Sequence, residues 1–140
     1  MRRALGVALL VLAGCGSELH GKLTAQLPDR AEPLTVAPNR CKSGQRQGFF
    51  GVDLWIDGDD AAKIRGVLDP IDGAAVRLEL PGAPAPLTLS SHSTCEVFDF
   101  LVENEGPTTN DIRHVGGHLL LDCVEAGITL VADITFTNCA

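Results

Sequence analysis

The chain has 140 residues, 18 of them acidic and 11 basic, for a formal net charge of −7. That length fits one domain. The acidic balance is opposite to the surplus of Lys and Arg that nucleic-acid binding demands, so no nucleic-acid partner is expected. With 45% hydrophobic and 21% charged residues the chain has the composition of a folded protein, not of a disordered one.

The N-terminus opens on the basic Met1-Arg2-Arg3 and continues through residues 4–14 without a charge or a polar side chain. A spanning helix needs ~20 apolar residues, so a run about half that long reads as an export signal and not as a transmembrane anchor. It ends in Leu12-Ala13-Gly14-Cys15, which resembles the lipobox of bacterial lipoproteins. The resemblance implies that residues 1–14 are cleaved, that the Cys15 thiol carries a diacylglyceryl group, and that the protein is attached to the membrane by lipid. Two or three acyl chains, at ~0.8 kcal/mol per buried methylene, give stable anchoring. Gly16 follows the cysteine where an Asp would signal inner-membrane retention, so the resemblance favours the outer membrane, on its periplasmic or cell-surface side.

The cysteine count agrees with this reading. Five cysteines are an odd number for an exported chain, and assigning Cys15 to lipid leaves Cys41, Cys95, Cys123 and Cys139 for two disulfides. Loss of Arg2 and Arg3 with the leader leaves nine basic residues against 18 acidic ones, a formal charge of −9. Spread along the chain, such a charge keeps the protein soluble and argues against a basic membrane-binding face.

Residues 16–40 contain three prolines and no sustained periodicity, and read together with Cys15 as a lipidated N-terminus and flexible tether over 15–40. Twenty-five flexible residues would hold a domain about 25 to 30 Å from its anchor. Residues 34–36 could add one strand to the domain edge, and the folded unit is expected over 41–140.

Beyond the tether, apolar and polar residues alternate with period 2. Phe50, Val52, Leu54 and Ile56 share one face; Val76, Leu78 and Leu80 oppose Arg77 and Glu79; Ile128, Leu130, Ala132, Ile134 and Phe136 line another strand. Further strands are predicted at 62–68, 87–90, 95–103 and 112–124. Turn chemistry falls between them at 57–60, 69–73, 81–84, 104–107 and 125–127. Short strands punctuated this way predict an all-β protein, a single antiparallel β-sandwich or flattened barrel of about seven to eight strands stapled by two disulfides.

Four cysteines allow three connectivities. A hairpin turned at 125–127 sets Cys123 opposite about residue 130, leaving Cys139 ~30 Å along the strand, beyond the ~7 Å reach of a disulfide. A connection centred on Thr109 sets Cys95 opposite Cys123. The predicted pairs are therefore Cys95 with Cys123, and Cys41 with Cys139 across the ends of the domain.

Candidates for chemistry are sparse. His92, His114 and His118 and the hydroxyls of Ser90, Ser91, Ser93 and Thr94 form no known catalytic motif, so no catalytic residue is assigned and the chain is not expected to be an enzyme. His114 and His118 flank two glycines; on a strand they stand ~13 Å apart, too far to share one zinc ion. The acidic turn at 57–60 departs from the calcium-loop pattern at Ala61 and Ala62. No metal and no cofactor is expected. Phe49 and Trp55 have the parity opposite to Val52 and Leu54: they are core if both sheet faces are covered, and a binding patch beside Asp53 for a sugar or protein if that face is open.

The segments 41–55, 116–123 and 136–139 are similar to parts of small β-rich lipoproteins of myxobacterial type. That resemblance implies fold class and compartment and carries over no site residue. The sequence thus points to a lipid-anchored envelope protein, a binding or structural module engaging an envelope protein or glycan, with an envelope enzyme or enzyme accessory acting on glycans or peptides as the alternative.

Overall fold

The computed structural model describes residues 16–140; the predicted leader and Cys15 lie outside the described residues. Ten strands form two five-stranded antiparallel sheets. In chain order they are β1 (Glu18–Gln26), β2 (Leu34–Val36), β3 (Arg40–Ser43), β4 (Gly51–Ile56), β5 (Asp59–Asp69), β6 (Gly73–Glu79), β7 (Leu87–Ser90), β8 (Thr94–Thr109), β9 (Ile112–Glu125) and β10 (Ile128–Cys139), with one 3-10 turn at Gly44–Gln47. The first sheet has the order β2-β1-β10-β9-β8 and the second is the meander β3-β4-β5-β6-β7. No ladder joins the sheets, so the fold is a sandwich and not a closed barrel.

The period-2 pattern builds the core directly. Val52 and Leu54 from β4, Ile64 from β5, Val76 and Leu78 from β6 and Leu89 from β7 face Leu23, Phe100, Leu119, Leu130, Ile134 and Phe136 of the first sheet, all buried. Each such side chain contributes ~1.5 to 3 kcal/mol of transfer free energy. Phe50, grouped by the sequence with Val52 and Leu54, precedes β4 and is 39% exposed.

Tight turns close the hairpins. Asn110 and Asp111 between β8 and β9, and Ala126 and Gly127 between β9 and β10, all have positive φ, as two-residue loops between twisted strands require. The predicted turn at 104–107 is instead part of β8. Between the pairs Asn104 with Val115 and Thr108 with Arg113, β8 advances four residues while β9 advances two, so the extra residues are absorbed as a bulge. A second irregularity follows between Cys95 and Val97, and together the two bring Cys95 opposite Cys123.

Both disulfides pair as predicted. Cys95–Cys123 joins facing residues of β8 and β9 within the first sheet, and Cys41–Cys139 ties β3 of the second sheet to the end of β10 in the first. The predicted pairing of Cys123 with Leu130 is also present.

The tether expected over 15–40 is corrected. β1 pairs along its whole length with β10, from Glu18 opposite Thr137 to Gln26 opposite Thr129, and β2 pairs with β1. The physical reason is the unpaired edge that β10 would otherwise present and the burial of Leu23 and Ala25, both fully inaccessible. Among the described residues the folded unit already includes Glu18, well before Cys41, and β1 and β3 raise the strand count above the expected seven to eight.

Candidate functional site

The outer face of the second sheet is open, and register determines what it displays. One row across the strands reads Lys42, Asp53, Arg65, Arg77 and Thr88; the next reads Arg40, Trp55, Lys63 and Glu79. Cys41, Leu54, Ile64 and Leu78 alternate with them toward the core. Five of the nine Lys and Arg residues beyond residue 15 therefore lie on this one face, against two carboxylates. Lys42, Gln47, Asp53, Trp55, Lys63, Arg65, Arg77 and Glu79 line a shallow depression of about 450 Å³ there.

Trp55 and Phe49, whose placement the sequence left open, both belong to this face and not to the inter-sheet core. Each carries a cation. The Lys42 Nζ stands 5.6 Å from the Trp55 ring centroid, and the Arg65 guanidinium stands 4.8 Å from that of Phe49. Contacts of this kind contribute ~0.5 to 1 kcal/mol at exposed sites and hold the long side chains over the rings. The aromatic pair is thus a pair of pedestals for positive charge.

Phe49 is placed by the turn that precedes β4. Ser43 Oγ accepts from the Gln45 amide at 3.3 Å, the Phe49 amide donates to the Gly44 carbonyl at 3.1 Å, and the ring folds back over Gly44. A Cβ at Gly44 would lie 2.2 Å from that ring, which explains the glycine. Arg65 then donates from Nε to Asp53 Oδ1 at 2.7 Å and from Nη2 to Asp53 Oδ2 at 2.9 Å, with Gln47 Oε1 accepting a further bond. The Asp53 hydrogen bond holds the Arg65 pKa above its ordinary value. Arg40 pairs with Asp57 at 3.0 Å and Arg77 approaches Glu79 at 3.8 Å. Among the described residues Lys42 and Lys63 have no ion-pair partner.

The other sequence candidates do not converge. Ser90 and Ser93 close their own turn, with Ser93 Oγ accepting from the Ser90 amide at 3.0 Å and Ser90 Oγ from the His92 amide at 3.2 Å. His118 lies 3.0 Å from Asp99 on the first sheet's outer face, while His114 is buried with Nε2 2.7 Å from Thr109 Oγ1. In the acidic turn, Asp57 is held by Arg40 and Asp59 Oδ1 accepts from the Ala61 amide at 2.9 Å. Among the described residues no three His, Cys, Asp or Glu side chains gather as metal ligands.

Arg40, Lys42, Lys63, Arg65 and Arg77 are the residues that sequence reasoning missed. Their signal was the alternation itself: each occupies an outward position beside an inward apolar or cysteine residue, in strands that a meander places side by side. Compared with protein-family models, curated proteins and solved structures, the chain matches none of them.

Proposed function

We propose that the protein is an exported, lipid-anchored module of the bacterial outer membrane that engages an envelope glycan or protein through the outer face of its second sheet. The observation that carries the reading is the open face around Trp55, where five cations assemble on an otherwise acidic chain. Two disulfides support an extracytoplasmic location. With four cysteines paired, Cys15 is the one left over for the lipid that its Leu12-Ala13-Gly14-Cys15 context suggests. Because β1 starts at Glu18, only Gly16 and Ser17 separate it from Cys15. A linker of two residues spans at most ~7 Å, so an anchored sandwich works close against the membrane.

Site-specific photo-crosslinkers at positions 55 and 131, on opposite outer faces, test this in intact cells. The proposal expects a discrete adduct from position 55 and little from position 131, and release of the protein from the membrane fraction by Cys15→Ser. Adducts confined to position 131, or membrane retention of Cys15→Ser, would contradict it.

A further inference from the structure

Resting on that reading of the face, we infer that its ligand is an acidic, carboxylate-bearing saccharide. The face holds five cations against Asp53 and Glu79 in its rows and Asp57 at its edge, a cationic excess that an anionic ligand complements. Arg65 is already neutralised by both oxygens of Asp53, and Arg40 by Asp57. On this face, among the described residues, Lys42 and Lys63 carry the unpaired charge, and they border Trp55: Lys63 is its cross-strand partner and Lys42 stands over its ring. An anionic group entering beside the indole meets both ammonium groups.

The carboxylates in the same rows select the kind of anion. Asp53 and Glu79 accept hydrogen bonds from hydroxyls, so the face suits a ligand that carries hydroxyls beside its negative groups. From β3 to β6 the row spans three inter-strand steps, ~14 Å, enough for a few sugar rings. The chain's net negative charge does not prevent this. The opposite outer face lies beyond a sandwich ~10 Å thick, and the Debye length is ~8 Å at physiological ionic strength, so the ligand responds to the local face.

Trp55 is the chain's single tryptophan, so its emission reports on this site without a label. Polygalacturonate, its fully methyl-esterified neutral form and a single-stranded oligonucleotide are titrated against the disulfide-bonded protein, followed by fluorescence and calorimetry. We expect saturable binding of polygalacturonate that weakens several-fold with added salt, at least tenfold weaker binding of the ester, and a loss of tenfold or more in Lys42→Glu/Lys63→Glu. Lys42→Gln/Lys63→Gln should fall between them, with unfolding temperature measured on both variants, and Val131→Asp should leave binding unchanged. Equal binding of the ester, or a double variant that binds like the wild type, overturns the acidic-saccharide assignment while a Trp55 response keeps the recognition face. Tighter binding of the oligonucleotide reassigns the face to nucleic acid, and no response to any probe overturns the inference.

Discussion

The two outer faces of the sandwich occupy equivalent places in the fold and carry opposite chemistry. On the first sheet, Val97, Leu101, Val124 and Val131 stand in solvent among Asp99, Asp122 and Asp133. On the second, Lys42, Lys63, Arg65 and Arg77 stand among Trp55, Asp53 and Glu79. Aliphatic and β-branched residues on a sheet surface are accounted for by cross-strand packing between long strands. A concentration of cations on aromatic supports, with Lys42 and Lys63 left without an ion-pair partner among the described residues, is not, and the proposed recognition face rests on that difference. The inward half of each strand specifies the sandwich, and the outward half distinguishes its two sides.

That division can be broken most severely from the inside. Replacing Cys41 and Cys139 by Ser removes a link between the sheets that spans 98 residues, for which loop-closure entropy predicts a loss of about 4.7 kcal/mol. The Cys95 and Cys123 pair, 28 residues apart within one sheet, should cost about 3.6 kcal/mol. Denaturant unfolding of the two variants ranks them, and the reverse order would show that the bridge between the sheets is not the principal staple.

Phe136 and Val131 compare the two sides of a single strand. Phe136→Ala should destabilise by about 3 to 5 kcal/mol, because the ring is fully buried over Gly117. Val131→Ala, on the exposed side, should cost under about 1 kcal/mol. Comparable losses would mean that the first sheet's outer face is also a packing surface.

Gly66 probes the fit between the sheets. A Cβ there would stand 2.3 Å from the Phe100 ring, so Gly66→Ala forces the β8 side chain out of register with β5 and should cost about 1 to 3 kcal/mol in thermal unfolding. Combined with Phe100→Leu the penalty should shrink, since the atoms that clash are gone.

The smallest effect belongs to the turn between β5 and β6. Asp69 accepts amide hydrogen bonds from Asp72 at 2.9 Å and Ile71 at 2.7 Å, and these, Asp72 first, hold its pKa below the ordinary value. A carboxylate depressed in the folded state contributes stability that is present above its unfolded pKa and lost as pH falls through the folded one. Asp69→Asn should therefore lower stability slightly above the ordinary carboxylate range, leave it nearly unchanged at the acid end where Asp69 is protonated, and so flatten the acid slope of the profile, as thermal melts across acidic pH would show.

Much of the fold was legible because the strands after Cys41 carry their inward residues without interruption. The disulfide pairing followed from hairpin geometry, even though the true turn is at Asn110 and Asp111 and bulges in β8 make up the difference. β1 was hidden by its glycine. Leu19, Leu23 and Ala25 keep the inward parity, but Gly21 breaks the series, and it does so because β10 comes so close that a Cβ would meet the Asp133 carbonyl oxygen at 1.8 Å. Prolines at 28, 33 and 38 completed the appearance of a tether, although they only connect β1, β2 and β3. At the site, the sequence singled out Trp55 and Phe49 but not their cations. Those come from three strands spread over 38 positions, and a net count of charge cannot show that antiparallel register collects them on one face.

The central claim is that the single tryptophan sits in a positively charged environment on an acidic protein. Quenching of Trp55 fluorescence by iodide and by caesium at matched low ionic strength tests it most directly. Iodide should quench several-fold more efficiently than caesium, and Lys42→Glu/Lys63→Glu should reverse that order in a protein that remains folded. Equal quenching by both ions, or stronger quenching by caesium in the wild type, would contradict the account.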